Sequence, residues 1–216
     1  MIYLSKLILN PASRMVQSEL RDPYQMHRTL MRGFNGNREL ANVLYRLDVN
    51  PLSGNLVLLV QSTEEPNWQP LTQIGRGEYL LAPTVYKPVY LSLQNGQVFR
   101  FRLVANPSVK RGGKRHALYK EKDQRHWLET KGTGSPEKNR PASGFQVLDV
   151  DVQPQGNRHG RIRLSEHEKH YITFYPVLFE GTLQVTNSKK FTRALRTGIG
   201  PAKAFGCGLL SLAPAG

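Results

Sequence analysis

Tyr24, His27, Arg28 and Met31 fall at i, i+3, i+4 and i+7 of one stretch, so in a helix they share a face; Met26, Leu30 and Phe34 form an adjoining apolar stripe. An imidazole, a phenol and a guanidinium therefore meet at the edge of a surface that folding buries. Imidazole titrates near neutrality and can take or give a proton. A guanidinium keeps its charge and offers several donors to an anionic transition state. Cleavage of RNA without a metal needs a group that takes the 2′-hydroxyl proton, a group that protonates the leaving 5′-oxygen, and positive charge for the phosphorane. On residue types alone, His27 also fits an ordinary helix-surface histidine.

A second chemical signal lies near the end of the chain, where Thr197 to Leu212 carries four glycines around Lys203. Glycines let a backbone approach a polyanion with its amides unhindered, and the lysine adds a cation to the same loop. The run lacks the Gly-Lys-Ser/Thr ending of a nucleotide P-loop, so the expected ligand is a nucleic-acid strand rather than a triphosphate. A helix C-cap followed by a tight turn into a strand accounts for the same glycines. His167 and His170, with Glu166 and Glu168, have a spacing that suits metal ligation on a helix, but their segment reads as a hairpin and hence as a solvated polar stretch. His116, His126 and His159 have mainly basic neighbours and read as parts of a nucleic-acid face. No Gly-x-Ser-x-Gly, no His-Glu-x-x-His and no paired-carboxylate cluster occurs, which leaves protease, esterase and two-metal nuclease chemistry without residues to perform it. Neither a metal nor a cofactor is expected.

The charge balance names the partner class. The 216 residues hold 30 Lys plus Arg against 16 Asp plus Glu, a formal charge of +14, which points to a polyanion. Nucleic acid is favoured over a membrane, because no stretch approaches the roughly 18 apolar residues of a span and the first nine residues read as a strand rather than a signal core. A cytoplasmic location follows. One cysteine, Cys207, excludes internal disulfides and zinc knuckles. Residues 1 to 90 hold 9 Lys or Arg and 7 acids, residues 91 to 216 hold 21 and 9, and no acid follows Glu180. The second half therefore carries most of the electrostatic footprint, and its attraction for a polyanion should weaken with salt.

These residues need a frame to hold them. Ile2 to Leu9 reads as a strand ended by Pro11, a polar stretch follows, and Asp22-Pro23 starts a helix over about 23 to 33. Val43 to Val49 and Leu56 to Gln61 read as a strand pair, Pro66 to Thr72 as a short helix and Tyr79 to Val85 as a strand. Val98 to Ala105 alternates Phe99, Phe101 and Leu103 with Arg100 and Arg102 and opens a second round of the same order. That round continues through a helix over 120 to 131, strands over 145 to 152 and 177 to 185, a helix over 189 to 197 and a strand over 207 to 212. Segments 106 to 115 and 154 to 170 read as basic loops or hairpins outside the core. The fold class is α+β: two tandem ferredoxin-like (RRM-like, β-α-β-β-α-β) domains over residues 1–90 and 91–216, joined near 86 to 96.

Four blocks carry a resemblance. The opening Met-Ile-Tyr-Leu-Ser-Lys-Leu-Ile-Leu-Asn-Pro-Ala-Ser-Arg, the block Asp-Pro-Tyr-Gln-Met-His-Arg-Thr-Leu around Tyr24 and His27, the strand Phe-Arg-Phe-Arg-Leu-Val-Ala-Asn-Pro, and the closing Gly-Ile-Gly-Pro-Ala-Lys-Ala-Phe-Gly-Cys-Gly-Leu-Leu-Ser-Leu together resemble the CasE family. These are the CRISPR endoribonucleases of Cascade-type (type I-E) systems, and the likeness runs from end to end. It implies a metal-independent enzyme that binds the stem-loop of CRISPR repeat RNA, cuts it to a 2′,3′-cyclic phosphate and a 5′-hydroxyl, and keeps its product for assembly with the other Cascade subunits. His27 would be the proton-transfer residue, Tyr24 its partner at the scissile phosphate, and Arg28 and Arg32 the nearby charges. Arg158, Arg161 and Arg163 look like the basic hairpin that engages the stem, Lys110, Arg111, Lys114 and Arg115 like the loop beside it, and Lys203 like part of the backbone-approach loop. A non-catalytic RNA-hairpin-binding subunit shares every basic patch and differs only at the Tyr24 and His27 face.

Overall fold

The computed structural model describes residues 1–34, 40–138, 140–163 and 169–215, with residues 138, 162, 163, 169 and 170 described by their backbone alone. Glu166, His167 and Glu168 lie outside the described residues, as does the side chain of His170.

Strand β1 (Ile2–Leu9) is followed by α1 (Arg14–Arg21), a helix in the stretch that the sequence marks only as polar. Val16 and Glu19 are its buried residues. A carboxylate on the inward face hides the apolar periodicity by which such a helix is recognised. Helix α2 (Pro23–Leu30) starts at the Asp22-Pro23 pair as expected and runs into a 3-10 turn at Met31–Gly33. Strands β2 (Leu44–Val49) and β3 (Leu56–Ser62) join through a turn in which the Asn50 side chain accepts from the Leu52 and Ser53 amides. Helix α3 is short (Gln69–Thr72), and β4 is Val85–Val89 rather than the expected 79 to 85. Tyr79 instead turns a fully buried ring inward, and Pro83 cannot donate to a ladder; the strand forms only beyond it, on a sheet edge where Pro88 is tolerated.

The second round consists of β5 (Val98–Ala105), β6 (Ser108–Arg111), β7 (Lys114–Ala117), α4 (Glu121–Thr133), β8 (Phe145–Pro154), β9 (Arg158–Arg163), β10 (Lys169–Phe174), β11 (Val177–Val185), α5 (Ser188–Thr197) and β12 (Leu210–Pro214). Both segments set aside from the core are two-stranded hairpins, β6 with β7 and β9 with β10. The four-stranded sheets run β2-β3-β1-β4 and β12-β5-β11-β8, antiparallel at every pairing. Each places its round's first and third strands in the centre and its fourth and second at the edges, which is the ferredoxin-like order.

The chain forms two compact units. One comprises Met1–Tyr90 with His159–Thr173 and Ala204–Gly206; the other comprises Leu91–Arg158, Phe174–Lys203 and Cys207–Gly216. Each has its own core. In the first, Leu7, Leu9, Leu58 and Val60 of the sheet pack on Val16, Met26, Leu30 and Trp68. In the second, Phe101, Leu103, Phe179 and Leu183 pack on Trp127, Leu128, Phe191 and Leu195. The alternation in β5 is realised, with Phe101 and Leu103 buried and Arg100 and Arg102 exposed. No helix among the described residues is long and apolar enough to cross a membrane.

Candidate active site and nucleic-acid interface

Burial of Met26, Leu30 and Phe34 fixes which face of α2 points inward, and the other edge carries Tyr24, His27 and Arg28. Tyr24 and His27 are half-buried and line a cavity of about 500 Å³, with Arg28, Arg32, Ser18 and Glu19 also on its wall. Their ring centroids are 6.4 Å apart. Tyr45, from β2, lies nearly parallel to the imidazole at 6.3 Å and 20°. Its hydroxyl donates to the Pro23 carbonyl over 2.6 Å, with the Ala204 carbonyl 3.3 Å away. Tyr24 in turn packs against Phe205 at 5.7 Å. His27 Nδ1 is buried and has no hydrogen-bond partner among the described residues. Burial also lowers the imidazole's pKa from its ordinary value, since desolvation penalises the charged ring. The site thus holds an imidazole that burial biases toward its neutral form, with an unengaged nitrogen, an arrangement that costs stability.

Below the cavity, a buried network sets the pose of α2. Glu19 Oε1 accepts from the Thr29 hydroxyl at 2.5 Å, and Oε2 from the Tyr79 hydroxyl at 2.6 Å, tying α1, α2 and the chain before β4 together. Burial raises the Glu19 pKa, opposed by those two hydrogen bonds and by the Arg32 charge. Burial and the same carboxylate push the Tyr79 phenol far up. Arg32 sits exposed on the 3-10 turn, and exposed Arg28 places Nη1 3.3 Å from Gln25 Oε1. Both guanidiniums remain available at the cavity mouth.

Asp22 starts α2 but does not cap it with its side chain. Its Oδ1 accepts instead from the Arg161 amide of β9 at 3.3 Å, and its Oδ2 lies 3.9 Å from Arg161 Nε. The basic hairpin is therefore fastened to the start of the helix that carries His27. Phe205 makes the same connection from another side: a Cβ on Gly160 would stand 2.1 Å from its ring, so only glycine lets β9 pass there. Gly206, at φ +81°, lies against the Tyr45 ring in a backbone conformation that side chains rarely adopt.

The remaining basic residues predicted to bind nucleic acid fall on exposed strands and one turn. In the β6–β7 hairpin Lys110 is directly opposite Arg115, and Arg111 opposite Lys114. Like charges in opposed positions destabilise a ladder, so this hairpin carries an uncompensated positive field. Arg158 and Arg161 are exposed on β9; Arg163 is placed there by its backbone. Lys203 occupies a 3-10 turn, where burial lowers its amine's pKa. The glycine run begins as a helix C-cap, the Gly198 amide donating to the Ala194 carbonyl at 2.8 Å. Cys207 is an apolar filler whose thiol burial pushes up to about 12.

Tyr24, His27, Arg28 and Arg32 thus share one cavity, and Lys110, Arg111, Lys114 and Arg115 share one hairpin. Sequence reasoning missed Tyr45, Phe205, Glu19 and the Asp22 to Arg161 link. Only Asp22 carried a local signal, as a helix start.

The family model described as CRISPR associated protein matches residues 2–214. The chain is 35% identical, over 99% of its length and all of the relative's, to the CRISPR-associated endoribonuclease Cse3 of Thermus thermophilus. It is 28% identical, over 99% of its length and all of the relative's, to the CRISPR system Cascade subunit CasE of Escherichia coli. A solved structure of the endoribonuclease Cse3 bound to a 19 nt RNA superposes with a TM-score of 0.78 at 35% identity, covering 98% of this chain and all of that one.

Proposed function

The chain belongs to the CasE family of CRISPR-associated proteins, and on that footing we propose that it is a cytoplasmic, metal-independent endoribonuclease that binds the stem-loop of CRISPR repeat RNA and keeps the product for assembly with other Cascade subunits. The observation that carries the reading is the neutral, partly buried imidazole of His27, its Nδ1 unengaged, on a cavity rimmed by Tyr24, Arg28 and Arg32. With the scissile phosphate in that cavity, His27 takes the proton of the adjacent 2′-hydroxyl and the freed oxygen attacks phosphorus. The phosphorus to 5′-oxygen bond breaks, leaving a 2′,3′-cyclic phosphate, and the 5′-oxygen takes the proton that His27 now carries, directly or through water, leaving as a hydroxyl and returning the ring to its neutral form. Tyr24 supplies a phenol at the same phosphate, and the two arginines balance charge on the phosphorane. Among the described residues the one carboxylate on the cavity wall, Glu19, is engaged through both oxygens by Thr29 and Tyr79, which supports proton transfer by the imidazole rather than by a carboxylate.

RNA in the A form is recognised by shape and by phosphate contacts. The exposed cations of the two hairpins, and above all the opposed like charges of β6 and β7, suit that role. The direct test is a denaturing gel of the cognate repeat RNA with purified protein in excess EDTA. The expected result is one cut at the base of the stem, with a 5′-hydroxyl and a cyclic phosphate at the new ends. Cleavage that requires added divalent metal, or linear 3′-hydroxyl ends, would overturn the mechanism.

Burial sets the sign of the pH dependence. A base must be neutral to act, and the His27 pKa lies below the usual imidazole value of about 6.5. The acid limb of kcat/KM, which reports the free enzyme, should therefore fall with a midpoint below that value, and activity should persist in mildly acidic buffer. Activity that falls instead as pH rises through that range would mean that the ring works as the protonated species.

A further inference from the structure

In the second unit a cavity of about 360 Å³ opens beside α4, and its wall includes Lys110 and Arg115 of the hairpin, Trp127 and Lys131 of α4, and Arg140. Among the described residues no carboxylate lines it. The Lys131 ammonium stands 5.5 Å from the centroid of the Trp127 ring, whose position is fixed by stacking on Phe179 at 6.3 Å. Lys131 is half-buried, and its pKa is lowered first by that burial and then by the charges of Arg140, Arg115 and Lys203. None of these four cations has an ion pair with a carboxylate among the described residues. Gathering like charges around a half-buried ammonium costs stability, and an anion placed among them relieves it.

We propose that this cavity binds a backbone phosphodiester of the RNA stem, as an anchor separate from the scissile phosphate at His27, with Lys131, Arg115 and Arg140 as its ligands. The inference rests on the RNA-binding role proposed above and assigns it a specific site. Guanidinium forks and an ammonium match the free oxygens of a phosphodiester. A base has no face to stack on, because Trp127 is already covered by Phe179 and Lys131 and is only 5% exposed. The cations continue out of the cavity along the hairpin through Lys110, so the ligand is a polymer of phosphates rather than a free nucleotide.

The test uses the full chain and a cognate hairpin carrying one 2′-deoxy sugar at the cut site, with affinity measured by fluorescence anisotropy across a KCl series. Lys131→Met keeps the aliphatic stem over Trp127 and removes the charge; Arg140→Ala removes a fork. Each should weaken binding about tenfold and flatten the slope of log affinity against log salt by roughly 0.7 to 0.9, and Lys131→Arg should restore both. The single-turnover rate on the all-ribose hairpin at saturating protein should stay at the parental value, which separates an anchor from a reacting group. Parental affinity and slope in both Lys131→Met and Arg140→Ala would overturn the site while leaving the nuclease reading intact. A parent that binds the all-ribose hairpin without cutting it, with the variants weakened as stated, would overturn the nuclease reading and uphold the anchor.

Discussion

His27→Ala is expected to bind the cognate hairpin with nearly parental affinity and to cut it about 10² to 10⁴ times more slowly, the usual range for loss of a positioned proton-transfer group. That factor corresponds to about 3 to 5 kcal/mol of transition-state stabilisation. Affinity survives because the exposed cations lie on other elements, β6, β7 and β9, and because Arg28 and Arg32 stay at the cavity mouth. The neighbouring aromatics have anchors of their own, Tyr45 through its hydroxyl on the Pro23 carbonyl and Tyr24 through Phe205, so removing the imidazole leaves the pocket standing. An unchanged thermal melt and anisotropy curve alongside a lost product band would match this expectation. Parental cleavage by the variant would send the search to another group.

What the sequence made legible and what it hid follow the range of the interactions. The face shared by Tyr24, His27 and Arg28 is local, set by helical spacing and by a start signal at Asp22-Pro23, and the structure keeps both. The sheet order also follows from short strands and their alternation, as in β5. The elements that were misread fail for a different reason: Glu19 in α1 and Tyr79 before β4 are polar or amphipathic groups facing inward, satisfied by each other across 60 residues. No periodicity announces such a pair. Likewise, the Tyr45 hydroxyl lies beside the Ala204 carbonyl 159 residues away, and Asp22 meets Arg161 across 139. Those contacts shape the surroundings of the His27 ring, and one sequence read alone offers Tyr45 as a strand residue and Phe205 as part of a glycine-rich loop.

A hairpin with a single 2′-deoxy sugar on the nucleotide before the cut should be bound like the all-ribose RNA and remain whole over times in which the latter is fully converted. The substitution removes one oxygen, the nucleophile, and leaves every phosphate and the stem's shape in place, so the sequence-independent contacts that dominate affinity persist. The same change one nucleotide to either side should leave cleavage intact, which shows that the loss is chemical and local. His27→Ala and the deoxy substrate thus remove the two ends of a single proton transfer, the acceptor on α2 and the donor on the ribose, and each should trap a bound, uncut hairpin. Should the deoxy hairpin be cut, the attacking oxygen would have to come from water. The product would then be a linear phosphate, and His27 would serve as base to a solvent molecule rather than to the RNA's own hydroxyl.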